Sequence, residues 1–113
     1  MVVKKGENLI MFNKTIVIPQ EKINEIQRKD VDMSSRRDII TYILSNNIQI
    51  PKERFNEYQE EYSLAYVNFE KAKAAIEETY VNNNMLPGER KNNWTLDYNS
   101  NILTIFYTED NNA

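Results

Sequence analysis

The 113-residue chain contains no cysteine and no histidine. Disulfides, thiolate nucleophiles, Cys/His zinc sites and imidazole acid–base catalysis are therefore excluded. Glycine occurs only at Gly6 and Gly88. A glycine-rich loop that cradles phosphate is excluded with it. No apolar run approaches the roughly 20 residues that span a bilayer. The opening "MVVKKGENLIMF" lacks the apolar stretch and cleavage site of a secretory signal. These absences lead us to expect a cytoplasmic protein with no membrane partner.

What is present is ordinary in bulk. Hydrophobic residues make up 41% and charged residues 27%, with a net charge of −3 and a pI near 5.0. That balance gives no global attraction to nucleic acid or to anionic lipid. The richness in Asn, Ile, Lys and Tyr is that of an AT-rich coding sequence, compatible with a bacterial, phage or mobile-element origin. The length suits one α+β domain over 11–109, followed by a polar tail at 110–113. Residues 1–10 read as a leader or a tail. Lys5-Gly6-Glu7 is encodable as a ribosome-binding sequence placed ahead of Met11, so translation from Met11 is one expectation and an ordinary N-terminal tail the other.

Periodicity supplies the elements. "NKTIVIP" (13–19) alternates apolar and polar residues and reads as a strand, with Ile16 and Ile18 on one face and Thr15 and Val17 on the other. Residues 20–47 read as helix, with Ile23, Ile26, Met33, Ile40 and Leu44 on one stripe that is interrupted at Asp30 and Arg37. One continuous helix is preferred over two helices with Ser35 as a second cap. Pro51 suits the start of the next helix, which runs to about Val81. There Phe55, Tyr58, Tyr62, Ala65, Phe69, Ala72 and Ile76 follow a 3-4 spacing, the seam of a helix packed on a helix. Glu57, Glu60, Glu61, Asn68, Lys71 and Glu78 fall outside that seam. A helix of this length spans roughly 40 Å at 1.5 Å per residue, so the far end of the hairpin protrudes or is covered by a partner. Residues 82–93 read as loop. "WTLDYNSNILTIFYTE" (94–109) reads as a β-hairpin with Ser100-Asn101 at its tip, which pairs Trp94 with Tyr107, Leu96 with Ile105 and Tyr98 with Leu103. The expected architecture is β-α-α-β-β, a long antiparallel helical hairpin with a small three-stranded sheet.

Three constellations bear on chemistry. The neighbouring pairs Glu60/Glu61 and Glu77/Glu78 diverge on a helix and form no cage for a metal. The serines lack a nucleophile elbow and, without His, a base. No catalytic residue, cofactor or metal is therefore assigned. The third is "SSRRD" (34–38). With the strand, the proline and the helix ahead of it, residues 13–46 resemble a ribbon-helix-helix DNA-binding unit, over about a third of the chain. That resemblance implies that Asn13 and Thr15 face a DNA groove and that Ser34, Ser35, Arg36 and Arg37 meet phosphates. The outward strand face carries no arginine, and the family's turn glycine is absent. The leading expectation is accordingly a small non-enzymatic interaction or accessory protein, a structural accessory or inhibitor of a host protein, with self-association allowed. Its partner contacts are Tyr66 and Tyr80, which fall off the helix seam, and Arg90 and Lys91 in the basic loop. DNA binding is the alternative.

Overall fold

The structure is a computed structural model that describes residues 10–110. The expected leader or tail therefore lies outside the described residues, Ile10 excepted. The elements follow the order β-α-α-β-β: β1 (Phe12–Val17), α1 (Gln20–Ser45), α2 (Lys52–Ile76), a π-helical turn (Glu77–Val81), a 3-10 turn (Asn82–Asn84), β2 (Glu89–Asp97) and β3 (Ile102–Glu109). They divide into two compact units. Among the described residues, one holds 10–20 together with 76–110; the other is Glu21–Ala75.

The first unit is built on an antiparallel sheet of order β1-β3-β2. Leu103, Ile105 and Tyr107 alternate along the central strand and are buried, and Ile18, Ile76 and Val81 complete this unit's core. The register places Phe12, Lys14 and Ile16 opposite them on β1. Phe12 stacks on Tyr107 with ring centroids 5.6 Å apart. The other face bears Asn13, Thr15 and Val17 beside Thr104, Phe106 and Ile102. None of these six is buried, so the sheet has one core face and one open face.

The β2–β3 register differs from the expected one by two residues. Trp94 pairs with Ile105 and Leu96 with Leu103. A shift of two keeps every side chain on its face, so the hydrophobic pattern is blind to it. The turn makes the choice. The Asp97 carboxylate accepts the Asn99 N–H at 2.9 Å, and the Asp97 carbonyl accepts the Asn101 N–H at 2.9 Å. Asn101 takes a left-handed φ of 64°, which asparagine tolerates. The loop is thus Tyr98–Asn101, and Tyr98 is a turn residue rather than a strand one.

A second correction concerns residues 82–93. Only its first part is loop, because β2 begins at Glu89. Residues 106–109 of β3 offer unpaired backbone there, and β2 fills it by inserting an extra residue, Asn92, as a bulge between Lys91 and Asn93.

The helical unit is an antiparallel hairpin. On α2, all seven seam residues from Phe55 to Ile76 are buried or half-buried, while Glu57, Glu60, Glu61, Asn68 and Lys71 are exposed. Helix α1 is continuous, as expected. Its stripe is not interrupted, because it follows other positions. The sheltered residues include Ile23, Asp30 and Ser34 together with Ile26, Lys29, Met33, Arg36, Ile40 and Ile43, the last six of which form an unbroken 3-4-3-4-3 series. A long aliphatic stem lets Lys29 and Arg36 take half-buried positions, and the Arg36 guanidinium is paired with Asp32 and Glu61. Leu44, assigned to the stripe from sequence, is exposed, and Ile43 takes its place.

α1 ends as "SNN" predicts. Asn47 adopts φ 50°, the Ile48 N–H bonds the Ile43 carbonyl at 3.0 Å, and the Asn47 N–H reaches the Leu44 carbonyl at 3.4 Å. This is a Schellman closure with asparagine in the left-handed position. Pro51 stands just before α2, where its carbonyl accepts the Phe55 N–H at 3.1 Å.

Candidate functional site

The turn that joins the two helices carries several exposed apolar side chains. Residues 39–51, "IITYILSNNIQIP", contain no charged side chain in a chain that is 27% charged. Tyr42 and Leu44 are 63% and 62% exposed, and Ile39 and Ile48 are exposed beside them. Ile43, Leu44, Ile48, Ile50 and Phe55 line an open hollow of about 330 Å³, together with the polar Asn47, Gln49 and Lys52. The hollow exists because the Schellman turn carries the chain from α1 into α2 through "IQIP", which packs few side chains between the two helix ends. The sequence pattern puts Leu44 in the core and so misses this site. The signal that points to it is the longest uncharged window in the chain.

Further along the hairpin, Val31, Leu64, Tyr66 and Val67 are also exposed. Tyr66, one of the expected partner contacts, sits with its ring centroid 6.2 Å from that of Tyr62. A second hollow of about 400 Å³ is floored by Ala65 and walled by Arg28, Lys29, Asp32 and Asn68.

The other expected contacts are less available. Tyr80 is half-buried in the π-helical turn, where its carbonyl accepts the Asn84 side-chain amide at 2.6 Å. Lys91 is engaged by the carboxylate of Glu77 and by Asn82 Oδ1 at 3.1 Å. Arg90 is well exposed, 3.7 Å from Asp110. Arg90 and Lys91 lie on β2, not in a loop.

The residues of the DNA-binding resemblance are dispersed. Asn13 and Thr15 lie exposed on the open sheet face. Ser34, Ser35 and Arg36 sit in the middle of α1, so they form no helix start and offer no free amides to a phosphate. The Ser34 hydroxyl donates to Asp30 at 3.2 Å. Arg36 is taken up by Asp32 at 3.0 Å and Glu61 at 2.9 Å, and Arg37 stands 3.9 Å from Asp38. Both Glu60 and Glu61 are exposed, and among the described residues no acidic group of three converges as a metal site would require.

One polar cluster belongs to the sheet itself. Lys14 Nζ donates to Glu89 Oε1 at 2.6 Å and to the Asn84 carbonyl at 2.9 Å, and lies 4.8 Å over the Tyr107 ring. Glu89 also accepts the Leu86 N–H at 2.8 Å. The bond from Lys14, then that from Leu86, holds the Glu89 carboxyl below the usual carboxylate range. A carboxyl whose pKa is lower folded than unfolded stabilises the fold above its unfolded value, and that stabilisation is lost as pH falls through the folded value. Wild type is therefore expected to exceed Glu89→Gln in urea midpoint at pH 7, with the gap closing as pH falls below the ordinary glutamate range. Urea midpoints of both proteins from pH 7 to pH 3 check this; a gap independent of pH would refute the assignment. Asp97 is lowered as well, chiefly by the Asn99 N–H, and contributes equally to both proteins.

Among the described residues no helix is long and apolar enough to cross a membrane. Comparison with protein-family models, with curated proteins and with solved structures finds no match for this chain.

Proposed function

We propose that the protein is a small non-enzymatic interaction module that offers the end of its helical hairpin to a protein partner, as an accessory component or an inhibitor. The observation that supports this reading is the uncharged window at the hairpin turn, with Tyr42 and Leu44 largely exposed and Leu44 at the rim of an open hollow. Contiguous exposed apolar surface is costly in water and marks interaction sites when polar residues rim it. Here Asp38 and Lys52 bound the window on either side. Tyrosine supplies a rigid contact that remains compatible with water in the unbound state.

The test compares two baits in extracts of the native host, the wild-type chain and the double variant Tyr42→Ser/Leu44→Ser. Both side chains are largely exposed, so each change is expected to alter folding stability by no more than about 0.5 kcal/mol. A protein captured by the wild type and lost at least about tenfold with the folded variant supports the reading. Equal capture by both baits, or no specific capture, removes it.

A further inference from the structure

We propose that two copies of the chain pair through the free edge of β1, joining their sheets antiparallel across a two-fold axis at Thr15. This inference is independent of the hairpin reading above.

The sheet has two edges, and they differ. The β2 edge is blunted in the ways proteins commonly protect an edge: it carries the Asn92 bulge and, beside it, the cations Arg90 and Lys91. The β1 edge has no bulge, and its one charged residue, Lys14, lies on the core face, where Glu89 pairs with it. Its pairing with β3 runs without interruption from Phe12 to Val17. The side chains on its open face, Asn13, Thr15 and Val17, are all uncharged and exposed, Val17 to 73%.

The direction of the backbone groups follows from one bond. The Ile18 N–H donates to the Asn101 carbonyl at 2.8 Å, in step with the β1–β3 register. Backbone groups alternate sides along an antiparallel strand. The even residues therefore turn their N–H and C=O to β3, and Asn13, Thr15 and Val17 turn theirs to the free edge.

That arrangement is self-complementary. A two-fold at Thr15 sets Thr15 opposite the partner's Thr15, and Asn13 opposite the partner's Val17. Every outward N–H and C=O of the three residues then finds a mate. The side-chain pairs agree as well: threonine meets threonine, a favourable cross-strand pair, and Lys14 meets the partner's Ile16 rather than another lysine. Lys14 already has its counter-charge in Glu89. An isologous contact of this kind closes on itself and leaves no further β1 edge exposed.

Sedimentation velocity over a concentration series, on the full chain, tests the proposal. Thr15→Lys or Thr15→Glu alone places like charges face to face at the two-fold and is expected to weaken association at least about tenfold. An equimolar mixture of the two variants is expected to restore it, because an ammonium on one chain then meets a carboxylate on the other. Amide exchange on the wild type reads the same contact without mutation. The amides of Asn13, Thr15 and Val17 become protected only as concentration rises, while those of Lys14 and Ile16 are protected throughout. A wild type that stays monomeric to about millimolar concentration, a dimer that ignores both variants, or a mixture that fails to associate would each overturn the proposal.

Discussion

Leu103→Ala is expected to lower the unfolding free energy by about 2–5 kcal/mol, which is the range for deleting a fully buried leucine side chain. Leu103 is wholly inaccessible and sits on the central strand, between Ile16 on β1 and Leu96 on β2. Both neighbours are held in place by their own strands, so little can collapse into the space that the truncation leaves. A domain of this size is stable by about 5–15 kcal/mol in all, so the loss is a large share of the total. The neighbouring substitution Ile102→Ala provides the comparison. Ile102 points to the open face and is 36% exposed, so its truncation removes less sheltered surface and is expected to cost below about 1 kcal/mol. Equilibrium urea unfolding of the two variants measures the contrast. Equal losses would mean that the open face is covered in the folded protein.

Met33→Ala is expected to cost about 2 kcal/mol or more, toward the lower end of the range for truncating a buried methionine to alanine, because Met33 retains slight exposure. It occupies the middle of the α1 seam, one turn before Arg36, which reaches across to Glu61 on α2. Val31→Ala, two residues away and 57% exposed, is expected to change stability by no more than about 0.5 kcal/mol; alanine's better helix propensity offsets part of the lost surface. The pair is read by urea unfolding monitored through helical circular dichroism. If Val31→Ala were the more damaging of the two, the seam would run along a different face of α1 than the one described.

That seam shows how far a sequence pattern carries and where it stops. Ile26, Met33 and Ile40 repeat every seven residues and identify half of a packed stripe. The other half is open to two choices, three residues on or four. Apolar character favours four, through Leu44, and that choice requires gaps at Asp30 and Arg37. The fold takes three, through Arg36 and Ile43, and at the first step shelters both Lys29 and Asp30. A charged residue with a long aliphatic stem counts as polar in a pattern and as partly apolar in a packed structure. The same ambiguity hides the hairpin end, because the pattern places Leu44 in the core and the fold leaves it exposed there.

The ribbon-helix-helix resemblance does not assemble, for a related reason. It rests on Ser34 and Ser35 beginning a helix. A serine caps a helix only where the chain enters from an extended conformation; inside a continuous helix its hydroxyl turns to a side chain one turn back, as Ser34 does to Asp30.

Sequence alone determined the element order, the α+β class, the inward face of α2 and the inward face of each strand. Each of these follows from a period of 3.5 or 2 that a short run of residues defines by itself. Tertiary structure alone decided the β2–β3 register, the start of β2 at Glu89 rather than Trp94, the Asn92 bulge and the second half of the α1 seam. These depend on what stands opposite. A strand pattern is unchanged by a shift of two, and the turn bonds of Asp97 and Asn101 select one register from those the pattern allows. The backbone that extends β2 belongs to β3, and the carboxylate that holds Arg36 across the hairpin belongs to α2. A residue's own periodicity carries no information about a partner that lies dozens of positions away in the chain.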